Sequence, residues 1–395
     1  MIGRRFTLFT LFGFRVQADA SWLIIAALIT WSLAAGLFPL FYPDLTPVTY
    51  WAMGVAGAFG LFVSIVFHEM SHALVGRRYG VQFEGITLWI FGGIAEMTRD
   101  ADKPRTEFLM AAAGPLASFL LAGLFYLAAA GLSLAGLAIT VVGVLSYLAW
   151  LNLILGVFNL VPAYPLDGGR ILRSALWYRR DDVVSATRIA SAFGNGFGWL
   201  LIGLGIFSFI AGNFVGGIWW ILIGAFIRFA AKASFRQFLA QRLLTGAEVR
   251  KMMNPNPSRI APETPVSRFM EQYLYSRDGN VFPVGHDGHI DGIVDMDALK
   301  RLPRSQWDRR TVGEFTRQLT EDTSIAPDDD AARALQLFQK SRLSSLMVTR
   351  NGHVEGVLSI DDLERYLQKK TALESTERRG GGFGRSSGRM DETRA

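Results

Sequence analysis

The chain has 395 residues, half of them hydrophobic, a net charge of +6 and no cysteine. The missing cysteine excludes disulfides and thiolate metal ligands, so any metal must be held by His, Asp or Glu. A single soluble domain is excluded too, because the first 240 residues carry repeated apolar runs of roughly 20 residues, the length that spans a bilayer.

The chain opens on a basic segment, Met1-Ile2-Gly3-Arg4-Arg5. The first apolar run is long enough to span, and no small-residue cleavage site follows it, so it reads as a retained span and not as a signal peptide. Candidate spans cover residues 20–41, 51–75, 107–131, 136–160, 194–212 and 214–231. From about Leu243 short apolar runs alternate with charged residues, as in a soluble α/β domain. No Lys or Arg lies between Arg15 and Arg77, between Arg105 and Arg170, or between Arg188 and Arg228, and each gap holds two spans. By the positive-inside rule the segments before, between and after these hairpins are cytoplasmic. The expectation is six spans in the cell (plasma) membrane with both termini in the cytoplasm. Membrane-flanking Lys and Arg account for the net charge without a nucleic-acid partner.

The second span ends in His68-Glu69-Met70-Ser71-His72. On a helix, histidines four apart project from one face and can hold one metal ion. Glu69 between them is placed to take a proton from water at the metal. Residues 51–67 carry no charge, and ionisable groups within spans are costly and usually functional. A hydrolytic zinc motif in that setting points to proteolysis in or at the edge of a bilayer. A third protein ligand is needed. The positions that would carry Gly and the third His of a metzincin are Val75 and Arg78, which excludes that class. The acidic candidates are Glu84, Glu96, Glu107 and Asp167. The second and fourth spans run in the same direction, so Asp167, just past the fourth, lies at a depth similar to that of the histidines. Pro162 and Pro165 break the helix before it, and Gly168-Gly169 allow a tight turn. Non-helical backbone at membrane depth is tolerated mainly where it is buried in protein or lines a polar cavity, which supports a site here.

The runs Phe67 to Ala73 and Asn159 to Arg170, with Gly92-Gly93 and Gly114-Pro115 between them, carry a resemblance. The chain resembles the site-2 protease family of intramembrane zinc metalloproteases, in the bacterial and archaeal branch with C-terminal CBS domains. That resemblance implies zinc as cofactor, with His68, His72 and Asp167 as its ligands and Glu69 as catalytic base. It also implies that Asn159 holds the substrate backbone near the scissile bond. The implied substrate is the transmembrane segment of a membrane-anchored protein already trimmed by a first protease, a regulator of transcription being the expected class.

Residues 81–91 are strand-like, and Gly92-Gly93 suits a turn before Ile94 to Met97. The apolar part is too short to span. It is a surface hairpin or, as the sharper expectation, a re-entrant hairpin beside the zinc whose edge pairs with an extended substrate, with Gly92 and Gly93 in the substrate-binding part. A substrate helix satisfies its own backbone and must unwind before its amide is accessible.

The C-terminal region contains an internal repeat. Residues 283–294 align with residues 347–358 at a constant offset of 64. Each unit reads as a helix, two strands joined by a Gly-containing turn, and a helix. The pair resembles a tandem CBS module, with one domain at 245–306 and the other at 307–373, after a membrane domain at 1–240. The resemblance implies a homodimer interface and an adenine nucleotide such as ATP as regulator. The nucleotide pattern is kept in the second unit by Ser359 and Asp362, whereas the first unit has Asp295 and Ala298 there. A purely structural or dimerising module is the alternative. His286, His289 and His353 read as solvated turn residues, and the tail 374–395 as disordered.

The expected fold is therefore a polytopic α-helical membrane protein of six spans with a re-entrant β-hairpin, followed by an α/β tandem CBS module. The expected activity is that of an intramembrane zinc endopeptidase. The competing reading is a CBS-gated membrane transporter or channel with the histidines in its permeation path.

Overall fold

The computed structural model describes residues 5–89, 92–97, 101–136, 138–273, 281–286, 289–341, 343–351 and 353–380. The chain forms two units, Met1–Phe235 and Arg236–Ala395.

The first unit opens with a hairpin of β1 (Arg5–Leu11) and β2 (Phe14–Asp19). Phe12 and Gly13 turn it with φ of 52° and 86°. Arg77 Nη1 donates to Phe12 O at 2.6 Å, and its guanidinium lies 4.6 Å from the Phe14 ring centre. The Asp19 side chain accepts from Ser21 N and so starts α1 (Ala20–Phe41). In α2 (Pro47–Arg78) Thr46 caps the first turn, Pro47 occupies a position where no N–H is needed, and Arg77 and Arg78 sit in the last turn. Then come β3 (Phe83–Trp89), β4 (Gly92–Met97), α3 (Pro104–Leu134), α4 (Ile139–Asn159), α5 (Asp167–Arg180), α6 (Val183–Ile210) and α7 (Phe214–Leu244). Six of these helices, α1 to α4, α6 and α7, are long and apolar enough to cross a membrane. They leave large apolar side chains such as Leu120, Leu127 and Phe207 exposed, as helices do when their outer face meets lipid.

Several helices outrun their apolar cores. α6 begins at Val183 and α7 runs to Leu244, where hydropathy places spans from residue 194 and up to residue 231. Basic residues interrupt the apolar run without interrupting the helix. Arg228 of α7 is satisfied by α6: its Nε donates to Asn195 Oδ1 at 3.1 Å, and its guanidinium lies 3.7 Å from the Trp199 ring centre. Helix α5 is the element that hydropathy does not anticipate. It is 14 residues long and amphipathic, with Arg179 and Arg180 in its last turn.

The hairpin of β3 and β4 is not isolated. It is half of a four-stranded sheet ordered β1-β2-β3-β4, joined by parallel pairing of β2 and β3 from Arg15↔Gly85 to Ala18↔Leu88. Gly92 and Gly93 are paired strand residues, opposite Trp89 and Leu88, and not the turn expected of them. Residues 90 and 91 lie outside the described residues. Phe14, Val16, Ile86 and Leu88 from the sheet pack on Phe62, Val66, Met70 and Ala73 of α2. One face of α2 is thus committed to the sheet, which leaves the histidine face to meet α3. On another side Asn152 Nδ2 of α4 donates to Ser64 Oγ of α2 at 2.9 Å in a buried contact.

In the second unit the repeat is structural as well as sequential. The first copy has α8 (Val266–Tyr273), β5 (Val281–His286), β6 (His289–Asp295) and α9 (Met296–Lys300). The second has β7 (Ser324–Ile325), α10 (Ala331–Ser341), β8 (Ser345–Arg350), β9 (His353–Ser359) and α11 (Ile360–Gly380). Strands β5 and β6 recur as β8 and β9 at the offset of 64. The register shift after Val284 recurs after Val348.

One core of this unit gathers Ile260, Phe269, Phe282, Val294 and Val312. The other gathers Ala334, Phe338, Leu346, Leu358 and Leu363, and adds Leu244, Val249 and Met252 from ahead of the first copy. Val281 and Ile293 of one copy meet Met347 and Val357 of the other, so neither copy buries its apolar face alone. Residues 374–380, expected in a disordered tail, continue α11. Residues 381–395 lie outside the described residues.

Candidate metal centre

Helix α2 presents His68 and His72 one turn apart, only 4% and 6% exposed. Both are oriented by α3. His72 Nδ1 lies 2.7 Å from Met110 O. A carbonyl can only accept, so Nδ1 carries a proton, and in the neutral ring the Nε2 lone pair is the one that can bind a metal. His68 Nδ1 lies 2.9 Å from Ser118 Oγ, which leaves its Nε2 facing that of His72 at 3.2 Å.

The third group comes from α5. Asp167 is the first residue of that helix, where the helix dipole favours a carboxylate. Its Oδ2 is 3.2 Å from the Nε2 of each histidine. Burial opposes ionisation of Asp167, but the two imidazoles outweigh it and hold the carboxyl well below the usual carboxylate range. Three ligand atoms therefore form a triangle with equal sides of 3.2 Å. Adjacent ligands of a tetrahedral zinc, at bonds of about 2.0–2.1 Å, stand about 3.3 Å apart. Two imidazole nitrogens and a carboxylate oxygen at that separation fit zinc in both chemistry and spacing. Among the described residues no other group of three potential ligands is so gathered.

The segment before Asp167 explains how α5 reaches the histidines. Pro162 and Pro165 end α4 and keep the chain non-helical until Leu166. Gly168 and Gly169 do not make the tight turn that their pairing suggests; they lie in the first turn of α5. A Cβ on Gly168 would stand 2.1 Å from Leu160 O, and one on Gly169 would stand 2.1 Å from Tyr164 N. Their value is close approach: α5 lies directly on the loop that feeds it. A Cβ on Gly194 would meet Tyr164 O at 2.1 Å, so α6 presses on the same loop.

A family model described as peptidase family M50 matches residues 56–137 and 135–203. Rip3 of Mycobacterium tuberculosis, named as a zinc metalloprotease, is 35% identical over 359 residues, which cover 90% of this chain and 91% of that one. The chain belongs to peptidase family M50, the site-2 proteases. It is thus a zinc metalloprotease and a multi-pass membrane protein, and a CBS-domain model matches residues 312–369 of its C-terminal region. Zinc metalloprotease MJ0392 of Methanocaldococcus jannaschii is 28% identical over 78% of this chain and 83% of its own. Among solved structures, the site-2 protease from Methanocaldococcus jannaschii is 28% identical with a TM-score of 0.41, covering 58% of this chain and 94% of that one.

In this M50 protease Glu69 is half-buried beside the histidines. A Cβ on Gly93 would lie 2.6 Å from Glu69 Cγ, so the end strand of the sheet runs against that side chain. Asn159 is the last residue of α4, and its Nδ2 donates to Leu155 O of its own helix at 3.0 Å. That bond engages the amide with its own helix. Glu107, one of the acidic candidates, is directed elsewhere: Arg173 Nε donates to its Oε1 at 2.6 Å.

The supports on α3 have no signature in the sequence. Ser118 and Met110 carry no motif, since one hydroxyl and one carbonyl become specific only when the helices pack. Gly114 stands out in the sequence by resemblance alone, and the structure supplies its physical reason: a Cβ there would lie 2.2 Å from His72 Nε2 and 2.7 Å from His68 Nε2. In the second unit Ser359 Oγ donates to Asp362 Oδ2 at 2.6 Å, and Asp362 N donates to Ser359 Oγ at 3.2 Å. These two residues cap α11.

Proposed function

We propose that His68, His72 and Asp167 hold one zinc ion, and that Glu69 is the general base of an endopeptidase cutting in or near the transmembrane segment of a membrane-anchored protein. The observation that carries this reading is the equal-sided, buried triangle of Nε2, Nε2 and Oδ2 atoms at 3.2 Å, with Glu69 on the same helix. Zinc, when bound, supplies Lewis-acid polarisation of the scissile carbonyl and acidification of the attacking water.

The chain's own residues do the rest. Glu69 accepts the proton that water releases as its oxygen bonds to the carbonyl carbon. The same carboxyl returns a proton to the departing amine as the C–N bond breaks. Ser118 and Met110 fix the imidazole rings, so no reorientation is needed during the reaction. The outer strand β4 of the re-entrant hairpin, with Gly92 and Gly93, offers its edge to an unwound substrate, and Gly93 brings that edge to Glu69. Asn159 holds substrate backbone at the cytoplasmic end of α4.

The setting belongs to the same proposal. Lys and Arg flank the spans on one side, which supports cytoplasmic termini in the plasma membrane. The substrate is a membrane-anchored regulator already trimmed by a first protease. The C-terminal module pairs with a second copy and takes an adenine nucleotide at Ser359 and Asp362. Titration with ATP of wild type and Asp362→Ala tests that last part, equal binding by both counting against it.

The decisive experiment compares membranes of cells carrying wild type or Glu69→Gln. A membrane-bound stub accumulates only in the variant, while purified Glu69→Gln keeps its zinc. Cleavage that survives the substitution would sink the assignment.

A further inference from the structure

A second buried charge cluster lies beside the metal centre, and the proposed chemistry does not use it. Glu107 is 0% exposed and Arg173 is 1% exposed. Arg173 Nε donates to Glu107 Oε1 at 2.6 Å, and its Nη2 closes on the same oxygen. Arg170 Nε approaches that oxygen as well, at 3.7 Å. Glu107 Oε2 has no hydrogen-bond partner among the described residues. Arg173 also lies 5.3 Å from the Tyr164 ring centre, so it touches the loop against which the start of α5 is pressed.

Burying two charges is expensive, and an apolar pair of the same volume is commonly as stable. Stability alone is therefore a weak reason for this pair. Its position supplies a better one. Glu107 is in the first turn of α3, the helix that orients both histidines through Met110 and Ser118. Arg170 and Arg173 are on α5, the helix that begins with Asp167. Asp167 reaches the histidines from a separate element, and α5 is too short to be fixed by spanning the bilayer.

We infer that the Glu107–Arg173 ion pair is a clamp that sets α5 against α3, and with it the Asp167 carboxylate against the two histidines. Glu107 and Arg173 are positioning residues for the metal centre. Charged partners suit this task because their geometry is directional, whereas apolar contact tolerates sliding and rotation. The inference rests on the zinc reading above.

The test uses the full-length protein and the double variant Glu107→Leu/Arg173→Met, which removes both charges and leaves neither buried alone. Zinc affinity is measured by competition with a chelator. The visible spectrum of the cobalt-substituted protein reports ligand geometry. The double variant is expected to melt near wild type without metal, to bind zinc at least about 10-fold more weakly, as loss of outer-shell support does, and to shift the cobalt bands. A folded double variant with wild-type zinc affinity and cobalt spectrum would overturn the clamp. If the double variant does not fold, Arg173→Lys decides by the same two readings, because it keeps the charge but loses the fork; unchanged readings there overturn the clamp too. A wild type that binds no zinc, or binds it as well after His72→Ala, would instead sink the underlying zinc assignment.

Discussion

Gly114 faces His72 so closely that a Cβ added to it would stand 2.2 Å from the imidazole Nε2. The same added atom would stand 2.7 Å from His68 Nε2. The backbone of α3 therefore forms one wall of the candidate metal centre.

Gly114→Ala is expected to abolish stoichiometric zinc binding. Alanine favours a helix interior over glycine by about 1 kcal/mol, so a general loss of helix stability is not the cause. Zinc content of the purified variant checks this, with helicity followed by circular dichroism. Full zinc occupancy would mean that the ligand atoms lie elsewhere.

Ser118→Ala removes the partner of His68 Nδ1 and frees the ring to rotate. Zinc affinity or turnover is expected to fall roughly 10–100-fold. Ser118→Thr, which keeps the hydroxyl, is expected to recover part of the loss. Chelator competition on the three proteins measures both effects.

Gly93→Val puts side-chain atoms against Glu69, where a Cβ alone comes within 2.6 Å of Cγ. Turnover is expected to collapse while zinc content stays at wild type, since the histidines and Asp167 are untouched. Peptide cleavage and metal analysis on the same preparation separate the outcomes. A loss of metal would place the damage in the fold and not at Glu69.

Ser359→Ala removes the side-chain cap of α11, including the hydroxyl bonds that tie Ser359 to Asp362. The expected cost is about 1 kcal/mol, seen as easier denaturant unfolding of the C-terminal unit. Proteolysis of intact protein at graded urea concentrations measures it. No change would show that the cap contributes nothing to that unit's stability.

The His68–His72 pair and the six apolar helices are legible in the chain because each depends on local spacing or composition. Two histidines one helical turn apart share a face wherever that helix sits. Gly168-Gly169 show where such reading stops: paired glycines suggest a turn, but they lie in a helix whose neighbours leave no room for a Cβ. Gly92-Gly93 mislead in the same way, being strand residues, with Gly93 pressed toward α2. Helix α5 escapes a hydropathy scan because its amphipathic pattern makes no apolar peak.

Membrane class, the helix with two facing histidines, the candidate third ligand and the internal repeat offset by 64 residues all follow from the chain alone. Periodicity, charge placement and self-similarity carry them. Packing was needed to establish that Asp167 Oδ2 stands 3.2 Å from both imidazoles and that Met110 and Ser118 hold the rings. It was needed again to show that β1 and β2 complete the sheet beside the helix of Glu69. Those relationships join residues far apart in the chain, and they arise from how whole helices and strands settle against one another.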